Sequence, residues 1–217
     1  MNKIILVDDH SLFREGIKLL IENEGYGEII AEAENGQVFV ELLQTHQPDL
    51  VILDIEMPIM NGLEATRQAV KMYPTIKILI LTMLNEKSNY IDLVNAGALG
   101  FVLKTAGKQE FEKAIKTITE GGSYFSNDLL RQIIMQQHEK TIKKDETPCS
   151  DFSSISKREK EVLQLLCNGL SVTEIAENLF LSPKTIETHR SALLKKSNTK
   201  NTINLVLCAL KHKIVEL

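Results

Sequence analysis

The sequence predicts an α/β doubly wound five-stranded parallel sheet followed by a small all-α helix-turn-helix domain. Three observations carry this. Five short apolar runs alternate with stretches of helical period as far as about residue 120. The C-terminal stretch, from about residue 155 onward, has no strand signal. Within that stretch, a two-residue connection, Leu181-Ser182, joins two helical segments tightly.

The candidate strands are Lys3–Val7, Glu28–Ala33, Leu50–Asp54, Lys77–Leu81 and Gly100–Leu103. Near-continuous apolar runs suit strands covered on both faces, whereas a one-sided sheet would alternate apolar and polar residues. The intervening segments are read as covering helices: Leu12, Ile17, Leu19 and Leu20, then Val38, Leu42 and Leu43, then Leu63, Thr66 and Val70, then Ile91 and Val94. A last helix, about Lys108–Glu120, stops at Gly121-Gly122, residues that accept the left-handed backbone of a helix end. Asp128 to about Lys140 has an amphipathic pattern, with Leu129, Ile133 and Gln136 on one side. It gives way to the polar, Pro-containing run Lys143–Ser150, the expected interdomain linker. Four helices follow: Lys157–Asn168 ending at Gly169, Val172–Phe180, Pro183 to about Asn198, and Asn201–Lys211. The expected division is 1–122, a linker 123–152 with a partly helical start, and 153–217.

At 217 residues with 43 % hydrophobic content, the chain suits two domains with sizeable cores. No stretch approaches transmembrane length and no signal peptide is read at Met1-Asn2-Lys3, so a cytoplasmic protein with no membrane partner is expected. Cys149, Cys167 and Cys208 lack any Cys-x-x-Cys pairing and are expected to be ordinary thiols. The net charge of −4 hides an asymmetry. Residues 1–125 carry 18 Asp+Glu against 11 Lys+Arg, while residues 150–217 carry 7 against 10. Only the second part has the charge to meet nucleic acid.

Chemistry is concentrated at the C-terminal ends of the strands, where open parallel sheets bind ligands. The first strand runs into Asp8-Asp9, the third closes on Asp54, the fourth runs into Thr82 and the fifth into Lys104. Three carboxylates, one hydroxyl and one ammonium therefore converge on one sheet edge. Close carboxylates repel one another unless a cation shares them, and Mg²⁺ fits because it takes oxygen ligands and keeps positions open for water and phosphate. Asp54 can then act as a nucleophile toward phosphorus, with Lys104 neutralising charge on the transferring group. The product would be an aspartyl phosphate.

Residues 1–120 resemble the receiver domain of two-component response regulators. The matching elements are Val7-Asp8-Asp9-His10, the run Asp54-Ile55-Glu56-Met57-Pro58-Ile59-Met60-Asn61-Gly62, Leu81-Thr82-Met83, and Gly97 to Lys104. The resemblance implies Asp54 as phosphoacceptor, with Asp8, Asp9, Asp54 and the Glu56 backbone carbonyl as the Mg²⁺ site. It further implies Thr82 and Lys104 as phosphoryl-binding residues and Phe101 as the switch aromatic. Thr105 stands where many receivers have proline.

In the C-terminal part, Ser182-Pro183 opens a helix as N-cap and first helical residue. Lys184, Glu187, Thr188, Ser191 and Lys195 recur along it at spacings of three, four, three and four, a polar stripe on a helix that a preceding helix would lay in the major groove. The segment about 155–212 resembles the LuxR-type helix-turn-helix of NarL/FixJ-type regulators. Lys157 to Leu163, Gly169-Leu170-Ser171, Glu174-Ile175-Ala176, Leu179 and Ser182 to Arg190 carry the likeness. DNA contacts are expected from Lys184, Thr185, Glu187, Thr188, Arg190, Ser191, Lys195, Lys196 and Lys200. Ile203, Val206, Leu207 and Leu210 form an apolar stripe that is either core or a dimer surface.

Together these features imply a regulator of transcription, not an enzyme, that takes a phosphoryl group on Asp54 from a sensor histidine kinase and binds double-stranded DNA, as a homodimer when phosphorylated or DNA-bound. Two alternatives compete. A phosphorylation-independent DNA-binding regulator leaves Asp8, Asp9, Asp54, Thr82 and Lys104 without a purpose. A Mg²⁺-dependent phosphatase could use Asp54 with Glu56, but explains neither Asp8-Asp9 nor the second domain.

Overall fold

The computed structural model describes residues 1–83, 90–125, 152–199, 202–212 and 214–215. The chain divides into two compact units, Met1–Thr119 and Glu120–Leu217. Strands β1 (Lys3–Val7), β2 (Glu28–Ala33), β3 (Leu50–Asp54), β4 (Ile78–Thr82) and β5 (Gly100–Leu103) alternate with helices α1 (Ser11–Glu24), α2 (Gly36–Leu42), α3 (Gly62–Met72), α4 (Tyr90–Ala96) and α5 (Lys108–Thr119). A two-residue strand β6 (Tyr124–Phe125) makes the sheet six-stranded, in the order β2-β1-β3-β4-β5-β6. The expectation of five strands is corrected by that short edge piece, and β4 starts one residue later than the sequence suggested.

The central strands are buried because their residues are apolar without interruption: every residue of β3 and β4 is buried, as are Ile4 to Val7. The four strand pairings from β2 through β5 are parallel. Strand β1 is flanked by β2 on one side and β3 on the other, so successive crossovers leave it in opposite directions. That reversal is the topological switch point at which sheets of this type open a crevice. Register fixes what lines it. Val7 pairs with Leu53, Asp54 with Leu81, and Thr82 with Leu103, so Asp8, Asp54, Thr82 and Lys104 fall at the same end of neighbouring strands.

The second unit has a 3-10 turn (Phe152–Ser154) and helices α6 (Lys157–Cys167), α7 (Val172–Leu179), α8 (Pro183–Ser197) and α9 (Thr202–Lys211). Its helix starts are specified locally. Ser156 with Glu159 and Ser171 with Glu174 form reciprocal capping boxes, and Ser182 caps α8 ahead of Pro183. The stops use the left-handed region at Phe180, Asn198 and Gly169. Val162, Leu163, Ile175, Ile186, Leu193 and Leu205 are among the buried residues of its core. Arg158 ties α6 to the end of α7 by donating to the Leu179 carbonyl at 2.7 Å.

The amphipathic segment read at Asp128–Lys140 and the linker run lie outside the described residues. Cys167 is buried, which pushes its thiol up to about 12. Cys208 is likewise buried, while Cys149 lies outside the described residues. Among the described residues, no helix is long and apolar enough to cross a membrane.

Candidate functional site

The crevice at the sheet edge holds the predicted cluster. Asp54 is 4 % exposed and Asp8 fully buried. The Lys104 ammonium lies 2.6 Å from Asp54 Oδ2 and 2.7 Å from Asp8 Oδ2. The other Asp54 oxygen, Oδ1, accepts from the Ile55 backbone N–H at 2.7 Å. Burial pushes the Asp54 carboxyl above its ordinary range, helped by Asp8 and opposed by Lys104. Burial would lower Lys104, but its hydrogen bonds to Asp54 and Asp8 prevail and raise it. The ammonium is therefore held charged between two carboxylates, where an incoming anion would be matched.

Ligand atoms of Asp8, Asp9, His10 and Asp54 lie within 4.8 Å of one another. A buried carboxylate beside two others is a donor set that suits a hard divalent cation. Glu56 stands two residues after Asp54 with its side chain exposed. Thr82 is buried at the end of β4, and its hydroxyl donates to the Met83 carbonyl at 2.8 Å. Phe101 is fully buried, edge-on to the buried Tyr90 with ring centroids 5.9 Å apart. The ring therefore points inward. The 104–105 peptide bond is trans, since the described residues contain no cis bond.

Three neighbours receive no role from the sequence alone. The Phe13 ring lies 4.8 Å from Lys104 Nζ, a cation–π contact. Arg14 donates to the Asp8 carbonyl, and His10 Nδ1 sits 2.8 Å from Asp9 Oδ1. Their signal is their place at the N-cap and in the first turn of α1. In the loop behind Asp54, Ile59 holds a φ of 69°, an unfavourable left-handed conformation for a β-branched residue.

Two models of known families match the chain: the response regulator receiver domain over residues 4–116, and the luxR family of bacterial regulatory proteins over residues 153–209. The transcriptional regulatory protein DegU of Brevibacillus brevis is 33 % identical, with 97 % of this chain and 93 % of DegU covered. This chain belongs to the response regulator family. UvrY of Escherichia coli K12, itself a response regulator, is 34 % identical over 98 % of this chain and 95 % of its own. A crystal structure of a LuxR-family two-component response regulator from Aurantimonas sp. SI85-9A1 is 32 % identical, with a TM-score of 0.59 over 66 % of this chain and 99 % of that one. This response regulator accordingly joins a receiver to a LuxR-type DNA-binding domain.

In the DNA-binding part of this response regulator, α8 presents Lys184, Thr188, Ser191 and Lys195 as exposed residues of one stripe, with Lys184 88 % exposed at its side chain. Glu187 lies between Lys184 at 4.0 Å and Arg190 at 3.9 Å, distances at which the charges remain loosely held. Thr185 is engaged at the helix start, its hydroxyl 2.8 Å from that of Ser182. Arg190 donates to the Gly121 carbonyl, within the same unit.

Lys196 departs from expectation. Its ammonium lies 2.8 and 2.7 Å from the two carboxylate oxygens of Glu159 and 3.0 Å from the Ser154 carbonyl, so it clamps the start of α6 instead of standing free for phosphate. Lys200 lies outside the described residues, as does the Ile203 side chain. Val206 and Leu207, by contrast, are buried, at 5 % and 6 % exposure. Within this chain both belong to the buried core, whereas Leu210 is half-buried.

Burial works against the ionised Glu159, but Lys196 and the Ser156 N–H outweigh it and hold the carboxyl below its usual range. A depressed folded value means stability present above the unfolded pKa and lost as pH falls through the folded one. Lys196→Met is therefore expected to cost about 1–3 kcal/mol near neutral pH by leaving a buried carboxylate unmatched. Urea titrations across pH would show the gap to wild type closing as acid protonates Glu159. A gap independent of pH would mean that the loss comes from packing.

Proposed function

We propose that Asp54 accepts a phosphoryl group from a sensor histidine kinase and that the modified regulator controls transcription through α8. The supporting observation is the pairing of one ammonium, Lys104, with both Asp54 and Asp8 beside a third carboxylate. The Asp54 carboxylate forms the new O–P bond as the donor's N–P bond breaks and its imidazole leaves. Lys104 trades part of its contact with the carboxylates for the transferred oxygens and offsets their charge. Asp8, Asp9, Asp54 and the Glu56 carbonyl would hold Mg²⁺, which supplies electrostatic stabilisation of the transferring group.

The product adds roughly −1.5 to −2 charges, on the scale of other phosphorylated side chains, beside the Thr82 hydroxyl. That hydroxyl is expected to leave the Met83 carbonyl for the phosphoryl oxygens. Because Phe101 is already packed on Tyr90, the change would reach α4 through the β4 end and not through an inward swing of the ring. The domain reading that goes with this is a receiver over 1–122, a linker over 123–152 and the DNA-binding domain over 153–217. Two such domains would bind a symmetric operator as a homodimer.

On α8, Glu187, Thr188 and Ser191 would reach base edges while Lys184 and Lys195 neutralise phosphates. Selection of preferred operators from a random duplex library tests this. Glu187→Ala should relax one base preference in each half-site, at mirror positions, by about 1–3 kcal/mol. Lys195→Ala should weaken all sequences alike and lower the salt slope by about one unit. An unaltered preference in Glu187→Ala would overturn the groove-facing stripe.

A further inference from the structure

We propose that His10 is a ligand of the acidic pocket and tilts its metal selectivity from Mg²⁺ toward later first-row divalent ions such as Co²⁺. The inference rests on the phosphoryl-site reading above and adds a donor of a different kind to it. Lys104 occupies one side of the pocket, on the Oδ2 atoms of Asp8 and Asp54. The other Asp8 oxygen, Oδ1, lies 3.4 Å from His10 Nδ1, and Asp9 Oδ1 lies 2.8 Å from the same nitrogen. A cation entering there meets a mixed nitrogen and oxygen set, all four residues' ligand atoms being mutually within 4.8 Å.

The His10 backbone is tethered into the pocket. Its N–H donates to Asp8 Oδ1 at 2.9 Å. As N-cap of α1, His10 makes no side-chain capping bond, so the imidazole is not committed to the helix. An exposed His–Asp pair alone would contribute little to stability. The chemistry discriminates between ions: Mg²⁺ takes oxygen and retains water, whereas imidazole favours the ions toward the high-affinity end of the divalent series. His10 therefore adds affinity for one class of metal and almost none for the other.

Calorimetric titration of the full-length protein with CoCl₂ and with MgCl₂ tests this, counting only Co²⁺ that Mg²⁺ displaces. His10→Asn and His10→Ala should each lose about tenfold or more in Co²⁺ affinity, the size of effect that a supporting ligand contributes. Mg²⁺ affinity should change by less than a factor of about two, since its oxygen ligands are intact. Unchanged Co²⁺ affinity, or equal loss for both ions, would overturn the assignment while leaving the acidic site standing. Failure of the wild-type protein to bind either ion would overturn the phosphoryl-site reading with it.

Discussion

Asp54→Asn should reduce phosphoryl incorporation from acetyl phosphate to background. The substitution preserves the size of the side chain and its acceptor for the Ile55 N–H, but removes the nucleophilic carboxylate. Asp8 and Asp9 cannot take over. The Asp8 carboxylate is fully buried and bound to Lys104, and Asp9 lies on the solvent side, next to the exposed His10. Phosphate-affinity electrophoresis with and without a chelator reads the effect. The wild-type signal should require a divalent cation, and a signal surviving in Asp54→Asn would relocate the acceptor.

The second large effect is structural. Gly62 opens α3 directly behind the acceptor, and its N–H donates to the Ile55 carbonyl at 2.8 Å. A Cβ there would overlap the Asp54 carbonyl oxygen and come within 2.9 Å of Ile55 Cα. Both obstacles are backbone, so the loop that orients Asp54 must shift. Gly62→Ala should therefore cost about 1–3 kcal/mol, as overpacking does elsewhere, and slow phosphorylation together with it. Gly16→Ala provides the contrast: it is mid-helix with nothing within 4 Å of the added atom, and should gain about 0.5–1 kcal/mol. Equal stabilities of the two variants in urea would contradict the close approach.

What was legible in the sequence follows from how each feature is encoded. Strands β1 and β3 could be read to the residue because an uninterrupted apolar run bounded by Asp has no competing interpretation. Strand β6 spans only two residues and leaves no periodic trace. The acidic pair, Asp54, Thr82 and Lys104 were legible because register in a parallel sheet converts strand ends into neighbours. The inward setting of Phe101 was not, since it depends on packing against Tyr90 from another element. Lys196 is a basic residue of α8 like its neighbour Lys195, and only the fold brings Glu159, 37 positions away, against it. The stripe containing Val206 and Leu207 illustrates the remaining ambiguity. Periodicity marks an apolar helix face without saying whether the chain's own core or a second copy covers it.

The central claim is that chemistry at Asp54 controls the affinity of the LuxR-type domain for DNA. Its most direct test is a titration of operator DNA with full-length protein, before and after treatment with acetyl phosphate and Mg²⁺, in wild type and in Asp54→Asn at one salt concentration. Treatment should tighten binding by the wild type and leave the variant unchanged. Equal affinity of treated and untreated wild type, or tightening in Asp54→Asn as well, would contradict the account.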